Sequence, residues 1–367
     1  MGRAARRTEK STPTSAKKAR PKPTRRSAQV KASPHHHDVV VIGGSAGAVE
    51  VIKAIAASLP GDLDAAVFVV IHRSSGVSVL PAILARVSDL PVLEATDKLA
   101  IEPGNMYVAV PDFHLFVDSA RMRVVRGPRQ NGHRPAVDAL FASAAAAYGA
   151  RVIGVVLSGS LDCGTHGLLA IKGRGGITVV QDPDDAQERG MPGSALSHVQ
   201  IDHCVAGAEL AALITRLVKT TAPISHIPAP ATAPSPGRLA GFVCPECSGP
   251  LWEVSERGFV SFRCRVGHGY TAESLFTGKE QALEAALWAA LNALSEKAEL
   301  GRRLATRARK GGHFLSASQF AQRASDAEDQ AAIVREVLVS ARPGAGPEAE
   351  GEPLESLARP IAHSTNK

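Results

Sequence analysis

From Asp38 to about Lys219 the chain alternates short unbroken apolar runs with stretches whose apolar residues recur every three or four positions. The runs Asp38 to Ile42, Ala65 to Ile71, Val92 to Ala95, Met106 to Val110, Val152 to Leu157 and Ile177 to Gln181 read as strands. Between them, Ala48 to Leu59, Leu80 to Val87, Pro135 to Tyr148, a glycine-punctuated stretch ending at Lys172, Gly193 to Val199 and Ala208 to Lys219 read as helices. Phe113 to Val117 and Met122 to Val125 have the length and spacing of a hairpin. Strands that are apolar on every residue must be covered on both faces. The pattern therefore predicts an α/β fold with a doubly wound, mostly parallel sheet, whose sites lie beyond the C-terminal strand ends.

The pattern changes after Thr220. Residues 221–238 form a Pro/Ala-rich linker, residues 239–274 a small cysteine-containing module, and residues 275–342 an Ala/Leu/Glu/Arg-rich helical hairpin broken at Gly311-Gly312. Residues 343–367 are rich in Gly, Pro and Glu and are expected to be disordered. The module boundaries expected are thus 1–37, 38–220, 221–238, 239–274, 275–342 and 343–367.

Charge adds one fact to this picture. The net charge is +7, yet residues 1–37 alone carry eleven Lys/Arg against the single acid Glu9. The rest of the chain is slightly acidic, so the positive charge is a property of a Ser/Thr/Pro-rich tail with little to bury, expected to act as a solubilising arm. His35, His36 and His37 close that tail, with adventitious metal affinity as the reading. No apolar run approaches the length of a membrane span, and the N-terminus has no secretory h-region, so no membrane insertion is expected. Five cysteines in such a chain imply a reducing, cytoplasmic setting and metal or chemistry in preference to disulfides.

Three predicted strand ends carry reactive groups: Ser45 within Gly43-Gly44-Ser45-Ala46-Gly47, His72, and Asp162 within Ser158-Gly159-Ser160-Leu161-Asp162-Cys163-Gly164. Serine, histidine and a carboxylate are the parts of a nucleophile, its base and an orienting group. A glycine turn after a first strand also serves as a phosphate cradle or a purely structural turn. The Gly-x-Gly-x-x-Gly spacing of a dinucleotide site is absent, and His72 stands where that fingerprint has an acid. Local pattern alone leaves all three readings standing.

The ordered series narrows them. Ile42-Gly43-Gly44-Ser45-Ala46-Gly47, Val70-Ile71-His72, Pro103-Gly104-Asn105-Met106-Tyr107-Val108-Ala109, Arg134 to Phe141, Val155-Val156-Leu157-Ser158-Gly159, Gln181-Asp182-Pro183 and Gly190-Met191-Pro192 follow one another in the chain. In this the segment 38–219 resembles the catalytic domain of chemotaxis protein-glutamate methylesterases of the CheB type. The resemblance implies hydrolysis of glutamyl methyl esters on methylated chemoreceptors or related signalling proteins, with methanol released and no cofactor for catalysis. It implies Ser45 as nucleophile and His72 as general base. Aligned without gaps, the family's third catalytic residue, an aspartate, falls on Cys163, with Asp162 one place early. Asp162 is taken as its substitute, and a catalytically weakened scaffold is the alternative reading. Many members carry an N-terminal phospho-receiver domain. Only 37 residues precede the first strand here, too few for one, so control by phosphorylation in cis is not expected.

Cys244-Pro-Glu-Cys247 and, after sixteen intervening residues, Cys264-Arg-Val-Gly-His268 present three thiolates and an imidazole, the donor set of a closed structural Zn²⁺ site in a ribbon. Trp252, Val254, Phe259 and Phe262 between the pairs read as a hairpin. A module this small needs a metal staple. Arg302, Arg303, Arg307, Arg309 and Lys310 read as a solvated helix end, so nucleic acid is not expected as a partner. Cys204 reads as a buried core residue.

Overall fold

The computed structural model describes residues 36–72, 78–223, 237–256 and 258–340. The basic tail up to residue 35, most of the Pro/Ala-rich linker and the tail from residue 341 lie outside them. The first part runs β1 (Val39–Gly44), α1 (Ala48–Ser58), β2 (Ala66–Ile71), α2 (Leu80–Ala85), β3 (Val92–Glu94), β4 (Met106–Val108), β5 (His114–Val117), β6 (Met122–Val125) and α3 (Val137–Tyr148). It continues with β7 (Val152–Val156), α4 (Thr165–Lys172), β8 (Ile177–Gln181), α5 (Gly190–His198), β9 (His203–Val205) and α6 (Leu210–Val218).

Seven strands form one parallel sheet in the order β3-β4-β2-β1-β7-β8-β9. β1 is buried at every position because its side chains serve two cores in alternation. Val39 and Val41 join Phe68, Tyr107 and Phe141 on one face, while Val40 and Ile42 join Ile52, Leu84 and Ile214 on the other. α3, α4 and α5 contribute to the first core, and α1, α2 and α6 to the second. The chain steps outward from β1 in both directions, so the crevice at its C-terminal end is a topological switch point.

The second part has four antiparallel strands, β10 (Arg238–Val243), β11 (Pro250–Glu256), β12 (Phe259–Cys264) and β13 (Gly269–Thr271), in that order across the sheet. The hairpin expected from the apolar spacing is β11–β12, extended by a strand on each side. β10 escaped the sequence pattern because its side chains are largely exposed and do not alternate. α7 (Ala272–Lys310) follows β13 without a break and packs along α8 (Phe314–Ser340). Their seam uses small residues, Ala298, Gly301 and Ala305 against Ala317, Ala324, Ala327 and Ala331, which lets the backbones approach closely. The turn between them is at Gly311-Gly312, where Gly312 takes φ 75°, a conformation that glycine adopts without a steric cost.

Two expectations change. Cys204 does lie on a strand, β9, but at the sheet edge, where it is exposed. His37 is buried, while His36 bridges to Thr221, so these two neighbours do not present one exposed metal-binding face.

Candidate active site

Strand register brings Ser45 and His72 together. Gly44 of β1 pairs with Ile71 of β2, so the next residues on each strand are neighbours, with backbones about 5 Å apart. The His72 amide donates to Gly44 O at 3.1 Å, which continues the ladder to the edge of the crevice. Ser45 N donates to Ser158 O at 2.9 Å, tying the nucleophile candidate to the strand end on its other side. The turn then reverses at Gly47, φ 79°, and α1 begins at Ala48. An L side chain at residue 47 would be strained and would also meet Ser158 Oγ and Gln187. First-turn amides of a helix lack intrahelical acceptors, and those of α1, which starts three residues after Ser45, are candidate donors to an oxyanion.

Both ring nitrogens of the half-buried His72 are shielded from solvent, and neither has a hydrogen-bond partner among the described residues. Burial holds its pKa well below the usual imidazole value, with His133 adding to the effect. The ring is therefore neutral at physiological pH, as a general base requires. His133 lies flat on it, ring centroids 3.7 Å apart and planes within 10°. Sequence reasoning passed over His133. A lone histidine in a polar loop gives no periodic or motif signal, and only its position before the Arg134 to Phe141 series marked the neighbourhood.

Asp162 is on the loop after β7 but is engaged elsewhere. Its Oδ1 accepts from Thr271 Oγ1 at 2.8 Å, and the carboxylate makes no hydrogen bond to His72. Burial raises its pKa to about 7; the Thr271 hydroxyl opposes the shift, and the charges of Glu273 and Asp138 add to it. Cys163 is also buried, and burial pushes its thiol well up. Of the three sequence-derived candidates, Ser45 and His72 are thus adjacent, whereas Asp162 belongs to a polar cluster beside them.

That cluster is continuous. Asp138 Oδ1 accepts from the amides of Gly164 (2.9 Å) and Gly167 (2.7 Å), and its Oδ2 accepts from Asn131 Nδ2 (2.7 Å). Asn131 Oδ1 accepts from Thr271 N (3.1 Å) and Ser274 Oγ (3.2 Å). All five side chains, Asn131, Asp138, Asp162, Thr271 and Ser274, are buried. Each is satisfied by another, which avoids the cost of about 1–3 kcal/mol for an unpaired buried polar group.

The cysteine module brings its four expected ligands together. One donor atom from each of Cys244, Cys247, Cys264 and His268 lies within 4.8 Å of the others. Cys247 and Cys264 sulfurs are 3.7 Å apart, and His268 Nδ1 is 3.4 Å from Cys264 Sγ and 3.6 Å from Cys244 Sγ. A tetrahedron with metal–sulfur bonds of about 2.3 Å and a metal–nitrogen bond of about 2.0 Å has edges of roughly 3.5–3.8 Å. The cluster therefore fits a metal ion. Glu246 Oε2 lies 3.2 Å from His268 Nε2, the outer carboxylate that fixes a ligating imidazole.

Among the described residues no helix is long and apolar enough to cross a membrane. The CheB methylesterase model matches residues 40–214. A protein-glutamate methylesterase/protein-glutamine glutaminase of Xanthomonas oryzae is 40% identical over 161 residues, 43% of this chain and 45% of that one. One of the same description from Archaeoglobus fulgidus is 36% identical over 162 residues, covering 43% and 46%. A Leptospira interrogans relative, provisionally given the same two activities, is 35% identical over 186 residues, 50% of this chain and 95% of that one. The crystal structure of the Thermotoga maritima CheB methylesterase catalytic domain matches at 31% identity and TM-score 0.48, covering 49% of this chain and 98% of that one. With its parallel sheet, its Ser45–His72 pair at the switch point and a relative covered almost end to end, the chain belongs to the CheB methylesterase family.

Proposed function

We propose that the chain is a protein-glutamate methylesterase acting on chemoreceptor-like proteins in the cytoplasm. Ser45 Oγ attacks the ester carbonyl carbon while His72 takes its proton. The tetrahedral intermediate collapses, and methanol leaves with the proton returned by His72. Water, deprotonated by the same imidazole, then hydrolyses the acyl-serine to free glutamate. Asp162 is kept as the carboxylate of this constellation. Its carboxyl is held by the Thr271 hydroxyl, and it would reach the imidazole only if the Ser158–Gly164 loop rearranged. The observation that carries the reading is the register pairing of Gly44 with Ile71, which makes Ser45 and His72 neighbours.

Residues 239–274 are proposed as a zinc ribbon, with Zn²⁺ held by Cys244, Cys247, Cys264 and His268. The metal would be structural, because four protein donors leave no open position. The domain limits expected from the sequence are proposed with it.

Methanol release from a methylated chemoreceptor cytoplasmic fragment tests the esterase. Wild type should release it, and folded Ser45→Ala should not. A second reading, a weakened scaffold, is favoured by His72, whose ring nitrogens have no hydrogen-bond partner among the described residues, and by Cys163 at the position where the resemblance puts the family's aspartate. It predicts receptor-fragment binding with negligible methanol from the wild type. For the metal, elemental analysis should find about one zinc per chain, lost in Cys247→Ser/Cys264→Ser. Zinc-free protein never exposed to chelator would remove that part.

A further inference from the structure

The Cys/His module does not hang from the esterase domain. It is seated at the catalytic end of the sheet by contacts between segments more than a hundred residues apart. Gln130 Nε2 donates to Gly267 O at 2.9 Å, Asn131 N to Gly269 O at 2.7 Å, and Gly269 N to Arg129 O at 3.2 Å. Gly267 and Gly269 flank His268, so the metal-site loop itself is gripped by the 129–131 segment. A Cβ at residue 269 would stand 2.1 Å from Gln130 Oε1, which shows how close the approach is. Thr271, the last residue of β13 and the N-cap of α7, then reaches Asn131 through its amide and Asp162 through its hydroxyl.

Each contact leads to one side of the active centre. The gripped segment turns through Asn131 and Gly132, both at positive φ, and closes with Gln130 and His133 exchanging backbone hydrogen bonds. His133 is the residue stacked on His72. On the other side, Asp162 belongs to the loop whose Ser158 carbonyl receives the Ser45 amide. In that loop Gly159 sits so close to Ser45 that an added Cβ would lie 2.8 Å from the serine Cβ.

We infer that the C-terminal module is a positioning part of the esterase site. Thr271 and the metal-site loop fix the His133 turn beside the base and the Asp162 loop beside the nucleophile, so that occupancy of the Cys/His cluster sets turnover. This rests on the esterase and zinc-site readings above. A tether could attach anywhere on the surface, whereas a fully satisfied buried polar network accepts one geometry. Thr271 touches no reacting atom; it acts through Asp162 and Asn131.

The experiment uses the full chain. In Thr271→Val, kcat for methanol release should fall by about ten- to a hundredfold with KM nearly unchanged, the size usual for losing an outer positioning contact. Zinc content should stay at the wild-type value, and Thr271→Ser, which keeps the hydroxyl, should restore kcat. A kcat that stays at the wild-type level in Thr271→Val, or rises, overturns the inference; a rise would mean that the module restrains the site.

Hydrogen exchange gives a readout independent of turnover and of whether the variant folds well. Chelation of wild-type protein should expose the amides of residues 129–133 and 158–167 together. Unchanged protection in both segments after zinc loss overturns the coupling. If no methanol is released by wild type, the esterase reading fails, and exchange alone still decides the coupling. If the purified chain holds no zinc, the zinc reading and the occupancy clause fail together. Exchange in Thr271→Val at the same two segments then decides whether the module positions the site.

Discussion

His133 covers one face of His72, with ring planes nearly parallel and centroids 3.7 Å apart. Among the described residues no hydrogen bond holds the His72 imidazole, and this stack and the strand end are the contacts that orient it there. His133→Ala should lower kcat by roughly tenfold while binding is little affected, since orientation of the base matters mainly in the transition state. His133→Phe, which keeps a flat aromatic face, should recover much of the loss. Equal activity in wild type, Ala and Phe variants would show that the stack does not orient the base. Because burial keeps His72 neutral, its protonation should put no acidic limb on kcat/KM above pH 6.5, so Asp162→Asn, which removes the neighbouring group that titrates at about 7, should have a level kcat/KM from pH 8 down to 6.5. An acidic limb centred above 6.5 would contradict that.

Asp162 provides a stability test. Its pKa is raised from 3.8 to about 7, so the folded state binds a proton that the unfolded chain releases between those values. Its contribution is therefore most favourable below about pH 4 and is lost as pH rises to about 7. Asp162→Asn keeps an acceptor for Thr271 and removes the titration. At pH 8 the variant should be more stable than wild type, with an upper bound of about 4 kcal/mol, and the gap should narrow by pH 5. Denaturant unfolding at the two pH values measures it. A gap that does not change with pH would refute the raised pKa.

Cys163, where the resemblance puts the family's aspartate, is buried within the Ser158–Gly164 loop. Cys163→Asp should raise kcat, by up to about 10⁴ if the natural chain lacks a carboxylate that orients the base. Burial, with the adjoining Asp138 charge adding to it, opposes ionisation there and will limit the gain. No gain in Cys163→Asp, together with a large loss in Asp162→Asn, would place the orienting role on Asp162.

Gly159 is a packing requirement. A Cβ there would stand 2.2 Å from Met191 Sδ and 2.8 Å from Ser45 Cβ. Gly159→Ala must displace the serine or the Met191 side chain. It should cost about 1–3 kcal/mol of stability and most of the turnover. A variant with wild-type melting temperature and kcat would mean that the loop has more room than this packing implies.

The sheet was legible in the sequence because its signal is local. Runs such as Val39–Ile42 and Val152–Val156 need two covered faces wherever they lie, and both are buried throughout. The Cys/His spacing was legible for the same reason, since a metal site restricts which residues can be near neighbours in the chain. Ser45 and His72 could be nominated because the C-terminal ends of parallel strands converge. The exposed strand β10 and the edge position of Cys204 were not legible, because partial burial leaves no periodic trace.

What tertiary structure alone decided is the partnership of each polar group. Asp162 and Thr271 are 109 positions apart, and Asn131 and Ser274 are 143 apart. No local pattern encodes such pairs. A buried carboxylate, amide or hydroxyl must find a partner, but its residue type states only that need, and the packing of the module on the sheet determines which group meets it. By itself, therefore, the sequence determined a parallel sheet with Ser45 and His72 at its central strand ends and, beyond it, a Cys/His set able to hold a metal. Docking decided that Asp162 is bound by Thr271, that His133 covers His72, and that the Cys264–Gly269 loop lies against the 129–131 segment.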